Sequence, residues 1–122
     1  MTARAAVAFV ALAAAGCATA PPDPDAREAR DLALAPYASH EECLALHPGD
    51  RLDYRFHSSV PVAFDIHYRE AQAVVMPLRR EGVTADSGIY QPVLAHHFCL
   101  AWEAGAGGAR LDYRIGVRRR AQ

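Results

Sequence analysis

The stretch LDYRFHSSVPVAFDIHYR, residues 52–69, decides the fold. Apolar side chains occupy every second position over residues 52–57 and again over residues 60–69, and polar side chains mostly occupy the positions between them. This period-two alternation is typical of antiparallel strands that bury one face and expose the other. We therefore predict two half-buried strands, joined as a hairpin centred near residue 60, with a break at residues 57–59.

Other segments of the chain continue this pattern. Residues 111–118, LDYRIGVR, alternate in the same way, and further strands are predicted at residues 41–46, 73–78, 88–93 and 97–103. Turn-forming breaks separate them at residues 47–50, 80–88 and 105–108. Short strands with turn signals at this spacing predict an all-β fold, an antiparallel β-sandwich, over residues 40–120. Pro77 and Pro92 place their strands at sheet edges or bulges.

One segment also fits a helical turn. Ser39 and Glu42 have the S-x-x-E spacing of a capping box, which starts helices. A single turn of helix over residues 41–46 is therefore an alternative to a strand there.

The N-terminal segment is typical of export. Residues 1–4 carry one positive charge, and residues 5–15, AAVAFVALAAA, form an apolar run of the length of a secretory h-region. A membrane span needs about 20 apolar residues. The run ends in Ala-Ala-Gly-Cys at residues 14–17, which resembles the lipobox of bacterial lipoproteins, although Ala14 stands where leucine is commoner.

That resemblance implies a signal peptide over residues 1–16 and lipidation of Cys17. Because Ala18 rather than aspartate follows Cys17, it also implies a cell-envelope protein, lipid-anchored to the outer membrane and facing the periplasm. An ordinary secretory signal with a nearby cleavage site is the alternative.

The segment after Cys17 is predicted to be a tether over residues 17–39. Residues 18–25, ATAPPDPD, are rich in proline and favour an extended, semi-rigid spacer. Residues 26–35, AREARDLALA, favour either a short helix that ends at Pro36 or a disordered stalk. The folded domain is therefore expected to begin near residue 40.

Two cysteines remain once Cys17 is assigned to lipid. Cys43 and Cys99 are an even pair in an oxidising compartment, which predicts a disulfide. On the chain-entropy model, closing a loop of about 57 residues stabilises the fold by about 4 kcal/mol. Two buried free thiols are the alternative.

The apolar pattern with its cysteine pair resembles a known domain family. ECLALHPGDRLDYRF, PVAFDIHY, GIYQPV, HFCLAWE and ARLDYRIGV, over residues 42–117, are similar to a GOLD domain, as found in the lumenal part of early-secretory-pathway cargo receptors. The resemblance implies a compact, jelly-roll-like β-sandwich that binds proteins or lipids and performs no chemistry. The family's trafficking role is not carried over, because its transmembrane helix and cytoplasmic signals are missing here.

Composition and motifs argue against catalysis and against nucleic acid. The 13 basic and 14 acidic residues leave no basic footprint for nucleic acid. No G-x-S-x-G motif is present, and the glycines of residues 105–108 lead into a predicted strand rather than the helix that a phosphate-binding loop needs. We expect neither an enzyme nor a bound cofactor.

Histidine side chains suggest metal binding as an alternative to a binding module for proteins or lipids. If residues 52–69 form a hairpin, Arg55 lies opposite Asp65 and Asp53 lies opposite His67. His57 and His67, with Asp65 or Asp53 beside them, would then share the polar sheet face and could hold a metal ion. The short spacings typical of zinc sites are absent. A solvated face with opposite-charge pairs is the other interpretation.

Two further groups could contact a partner. Trp102 is either a core residue or an exposed binding anchor with Tyr90 beside it. The terminal arginines, residues 118–120, either contact anionic headgroups or form a solvated end. Together these observations predict a lipid-anchored, non-catalytic binding module for proteins or lipids of the envelope, with a periplasmic metal-binding protein as the alternative.

Overall fold

The regular structure of the chain consists of β-strands. The computed structural model describes residues 2–3, 5–12, 16 and 23–121, so the predicted lipidation site Cys17 lies outside the described residues. Within them the strands are β1 (Arg27–Leu34), β2 (Ser39–Leu46), β3 (Arg51–Glu70), β4 (Ala73–Tyr90), β5 (His96–Ala104) and β6 (Ala109–Arg118). The described part of the chain holds no helix long and apolar enough to cross a membrane. The all-β prediction is confirmed.

All six strands belong to one antiparallel sheet that curls into a half-barrel. The order is β1-β6-β3-β5-β2, and β4 pairs with the other edge of β3. Strand β3 organises the sheet, because residues 51–58 pair with β6 and residues 62–67 pair with β5. The structure shows one continuous curled sheet, so the finer prediction of two facing sheets is not confirmed.

The predicted hairpin centred near residue 60 is wrong, because β3 bends there and continues. The bend lies between the part of β3 that pairs with β6 and the part that pairs with β5, and the ladder with β4 shifts register between His57 and Val62. Ser58 Oγ donates to the carbonyl of Val60 at 2.6 Å, and Ser59 Oγ accepts from the amide of Arg110 at 2.9 Å. These local bonds satisfy polar groups at the bend without reversing the chain.

The connection between β1 and β2 packs against the connection between β5 and β6. The amide of Tyr37, between β1 and β2, donates to the carbonyl of Gly105, between β5 and β6, at 3.0 Å, and the amide of Ala104 donates to Ala38 at 2.9 Å. Gly108 has a φ of +69°, and a Cβ there would lie 2.5 Å from the Leu34 carbonyl oxygen. Only glycine fits this contact, so the segment predicted as a flexible turn is a packed corner.

The predicted helix or stalk over residues 26–35 is also wrong. Strand β1 occupies Arg27–Leu34 and pairs with β6, so the sheet begins well before residue 40. Its ladder shifts register between Ala29 and Leu32, and Asp31 has a positive φ. A bulge of this kind interrupts the period-two pattern by which a strand is recognised in the sequence.

Strands β2 and β4 decide the predictions for residues 41–46 and residues 80–88. Residues 41–46 lie in β2, so the strand interpretation is confirmed and the helical turn is wrong. Residues 80–88, predicted as a break, lie inside β4. Pro77 stands on β4, which pairs only with β3 among the described strands, as a proline at a sheet edge should.

The core fills the concave side of the sheet. Alternate residues of β3, β5 and β6 are buried there, as their sequence pattern predicts. At its centre the Trp102 ring stacks on Tyr113 at 4.6 Å and lies 5.4 Å from Phe64. The largest fully buried side chains are Trp102, Phe64, Phe98, Leu46, Leu52, Ile66, Leu100, Leu111, Ile115 and Ser58.

Ion pairs and hydrogen bonds close one end of the half-barrel. Asp50 is buried and accepts from Arg119 Nη1 at 2.9 Å and from the amides of Arg120 and His47 at 2.8 and 2.9 Å. Burial opposes ionisation of Asp50, but these donors outweigh it and lower the pKa of the carboxyl. Asp25 forms a second ion pair with Arg119 at 3.0 Å.

Among the described residues, the contacts of the sheet begin at Asp23. Every strand, core residue and side-chain hydrogen bond of the described residues lies between residues 23 and 121. Gly16, described upstream, has no neighbour that a Cβ would contact. Residues 23–121 therefore contain the interactions that hold the sheet together.

Candidate functional site

The disulfide lies on the outer, convex face of the sheet. Cys43 of β2 and Cys99 of β5 are directly opposite in the ladder, are bonded to each other, and have Cα atoms 4.0 Å apart. Phe98 and Leu100 point into the core, and the alternation of β5 therefore turns Cys99 outward. The predicted disulfide is confirmed, and it joins two neighbouring strands along the outside.

A polar cluster surrounds this disulfide. His67 of β3 is opposite Cys99 of β5. Two residues along on the same face, Ala101 of β5 lies between Glu41 of β2 and Asp65 of β3. Oxygen of Glu41 and both sulfurs lie within 4.8 Å of one another. We call Glu41, Asp65, His67 and the disulfide the His67 cluster.

His67 is held in a defined orientation inside the cluster. Its Nδ1 lies 2.5 Å from Asp65 Oδ1, and its Nε2 lies 3.6 Å from Glu41 Oε1. The residue is only 4% exposed, and Nε2 is buried without a hydrogen-bond partner among the described residues. A carboxylate on one ring nitrogen orients a histidine and leaves the other nitrogen available as a ligand.

The cluster has the chemistry of a partial metal site. Histidine nitrogen and carboxylate oxygen bind zinc at about 2.0–2.2 Å, so two such ligands of one tetrahedral ion lie about 3.4 Å apart. The 3.6 Å between His67 Nε2 and Glu41 Oε1 is close to that separation. The sulfurs are tied in the disulfide and are not thiolate ligands.

The predicted partnership of His57 and His67 is wrong. His57 lies opposite Asp112 of β6 and Ala85 of β4, on the other half of the curled sheet. Ten residues separate the two histidines, roughly 33 Å along a strand. Because β3 does not fold back, the expected pairs Arg55–Asp65 and Asp53–His67 do not form either. Only Asp65 stays beside His67.

Trp102 does not serve as an exposed anchor. It is 0% exposed and belongs to the aromatic core, which agrees with the core interpretation of this residue. Tyr90 is half-buried and packs against Phe98 at 5.6 Å instead of beside Trp102. The candidate binding pair is therefore wrong, since the two side chains do not form a common exposed surface.

A second polar network lies on the concave side and was not anticipated from the sequence. Tyr113 Oη donates to Glu42 Oε1 at 2.6 Å and lies 2.9 Å from His40 Nε2, and Arg27 pairs with Glu42 at 3.6 Å. Burial and the carboxylate of Glu42 raise the pKa of Tyr113. These contacts join β2 to β6 and to β1.

Glu41 is the member of the His67 cluster that the sequence pattern does not single out. It precedes Cys43 by two residues, so it shares the outer face of β2 with that cysteine. The predicted disulfide is a signal that aligns β2 with β5. The pairing of β5 with β3 is long-range, and no local pattern in the sequence indicates it.

In comparisons with known proteins, no family model matches the chain and no curated protein is significantly similar to it.

Proposed function

We propose that the protein is a lipid-anchored envelope protein whose half-barrel domain binds partners and performs no chemistry. The observation that supports export is the paired state of Cys43 and Cys99, since stable disulfides belong to oxidising compartments. The apolar run followed by Cys17 supports the anchor. The resemblance to GOLD domains, which bind proteins or lipids, belongs to this proposal.

The free edge of β4 is the surface for a protein partner. Strand β4 is 18 residues long and pairs on one side only, with β3, within the described sheet. Val74 and Met76 are exposed on its first half. An extended peptide segment can add to such an edge by backbone hydrogen bonds. Pro77 and the ion pair Arg79–Glu81 limit uncontrolled edge pairing.

Lipidation of Cys17 is tested on the mature protein. We expect mass spectrometry of the wild type to find Cys17 as an acylated first residue, with the protein in the outer-membrane fraction. Cys17→Ser should remove the acyl mass and leave the protein uncleaved at the inner membrane or soluble. A free, unmodified N-terminus at another residue of the wild type would refute the anchor.

Crosslinking in cells that express the protein tests the binding role of the β4 edge. A photo-crosslinking residue at Met76 should give discrete adducts with envelope components, and the same residue at exposed Ala106, in the β5–β6 corner, is the matched control. Adducts of equal yield from both positions, or none from Met76, would contradict binding at the β4 edge.

A metal-binding protein is the second candidate function. The observation that favours it is the buried Nε2 of His67, which has no hydrogen-bond partner among the described residues and lies 3.6 Å from Glu41 Oε1, with Asp65 bonded to the other ring nitrogen. The candidate ligands are therefore His67 and Glu41, instead of the His57 and His67 predicted from the sequence. Water molecules would complete the coordination of an ion held by two protein ligands.

Zinc should stabilise the wild type through His67. At a concentration of about 100 Kd, binding adds about 2.7 kcal/mol to the free energy of unfolding, roughly 10 °C or more in Tm for a domain of this size. His67→Ala should abolish this shift in a thermal melt, and His57→Ala should retain it. An equal zinc shift in both variants would exclude the His67 cluster as the metal site.

A further inference from the structure

Four arginines form two cross-strand pairs on the outer face of β3 and β6. Arg51 is opposite Arg118, and Arg55 is opposite Arg114. Directly opposed side chains on one face of an antiparallel pair have Cβ atoms about 5 Å apart, so like charges there destabilise the sheet. The two pairs are four residues apart on β3, about 13 Å along the strand. We call these four residues the arginine strip.

The arginine strip differs in its partners from most other arginines of the described residues. Six other arginines form ion pairs with carboxylates in the part of the chain that the structure describes, namely Arg27, Arg30, Arg79, Arg80, Arg110 and Arg119. No ion pair involves the strip there, and Nε of Arg51 is buried without a hydrogen-bond partner. The carboxylates in register with the strip are Asp53, between the pairs, Asp112, two residues before Arg114 on β6, and Glu28, which is opposite Arg114 and pairs with Arg30 at 3.0 Å.

A groove borders the Arg55–Arg114 pair of the strip. Its volume is about 490 Å³, and its walls include Asp53, Arg55, Ser87, Ile89, Arg114 and Gly116. Gly116 has no side chain and lies opposite Asp53, so the floor between the pairs is low. Arg55 and Arg114 therefore border a recess instead of lying on a flat surface.

The chain that leads to Cys17 reaches the domain at this strip. Asp23 Oδ2 accepts from the amide of Val117, which is the neighbour of Arg118 on β6, at 3.0 Å. Cys17 is six positions before Asp23, so the chain between these two residues spans at most about 20 Å. An anchor at Cys17 holds the strip close to the headgroups.

Exposed apolar side chains lie at the same end of the domain. Ile89 is 54% exposed and lies opposite Asp53 on β4. Val93 is 88% exposed in the connection that follows Tyr90, the ladder partner of Leu52. Apolar side chains beside a basic patch are the composition of surfaces that rest in the membrane interface.

We propose that the arginine strip docks the domain onto anionic phospholipid headgroups, with Val93 entering the interface. Guanidinium groups bind phosphate oxygens through paired N–H donors, and the bound phosphates relieve the repulsion within each arginine pair. The nearness of the strip to the membrane rests on the proposed anchor, whereas its affinity for anionic lipid does not. Docking leaves Val74 and Met76, on the other half of the sheet, accessible to partners.

Vesicle binding by residues 18–122 tests the docking without an anchor, because these residues contain the interactions that hold the sheet together. We expect binding to phosphatidylglycerol vesicles and little binding to phosphatidylcholine vesicles. The double change Arg55→Gln with Arg114→Gln should lower the partition coefficient about 30-fold, from the loss of two arginine contacts with an anionic surface. The matched control, Arg79→Gln with Arg80→Gln on β4, removes the same charge and should change it less than 3-fold.

Each other outcome overturns the docking. Equal losses in the two double variants would show a net-charge effect only, and equal binding to both vesicle types would show no headgroup recognition. Displacement by inorganic phosphate well beyond that by chloride of equal ionic strength would assign the strip to a small anion. Failure of the anchor appears separately, as an unmodified N-terminus in mass spectrometry. Thermal melts of both variants check that they remain folded.

Discussion

Cys43→Ala and Cys99→Ala should each lower the free energy of unfolding by about 2–5 kcal/mol, and the double variant should be little less stable than either single variant. Each single change breaks the same bond, so the second change has no bond left to break. The effect is large because a domain of this size has a total stability of only about 5–15 kcal/mol.

The position of the disulfide indicates which strand should lose stability first. Strand β2 is an edge strand whose only ladder partner among the described strands is β5, and the disulfide joins these two strands across 56 residues of sequence. Without it, the chain-entropy gain is lost, and β2 depends on its backbone bonds, on the core contacts of Leu44 and Leu46 and on the hydrogen bond of Glu42 with Tyr113. We therefore expect β2 to detach first.

Denaturant unfolding of the wild type and the three variants measures this coupling. Reduction of the wild type should reproduce the loss seen in the single variants, and hydrogen exchange should report loss of protection in β2. Nearly additive losses from Cys43→Ala and Cys99→Ala would mean that the two cysteines contribute as independent side chains.

Trp102→Ala should destabilise the domain by about 3–5 kcal/mol, the range for removing a large aromatic side chain from a core. The ring is fully buried, stacks on Tyr113 at 4.6 Å and lies 5.9 Å from Phe56. These neighbours lie on two strands, β6 and β3, so the cavity cannot collapse by moving one side chain. Denaturant unfolding monitored by circular dichroism measures the loss.

Trp102→Phe is the matched control. Nε1 of Trp102 is buried without a hydrogen-bond partner among the described residues, and such a donor destabilises the folded state. Phenylalanine retains an aromatic ring and removes that donor, so the loss should stay below about 1.5 kcal/mol. A loss as large as that of Trp102→Ala would show that the indole nitrogen makes a stabilising contact.

The strands themselves could be predicted because each one carries its own pattern. The alternation over residues 52–57, 60–69 and 111–118 identified which side chains face the core, and the structure buries them except for Val60, which is 41% exposed at the bend, and Tyr68, which is half-buried. The same alternation turned Cys99 away from Phe98 and Leu100, and the disulfide does lie on the outer face. The bulge in β1 removed this local signal, and that strand was missed.

The candidate sites could not be predicted in the same way, because they join residues from distant strands. His67 and Asp65 share one strand face, but Glu41 reaches them only because β2 and β3 both pair with β5. The sequence RLDYR occurs at residues 51–55 and again at residues 110–114, which is a signal for the arginine strip. Its meaning depends on the register that places Arg55 opposite Arg114.

The sequence by itself determined the class of structure, the inward and outward faces of its main strands and the cysteine pair, because these follow from the two-residue period of a strand and from cysteine chemistry. Only the tertiary structure decided whether residues 57–62 reverse or bend. Local propensity is similar for a turn and a bend, and the difference lies in the long-range partners: β6 pairs with one half of β3, and β5 pairs with the other. That choice separated His57 from His67 and brought Glu41 and the disulfide to His67.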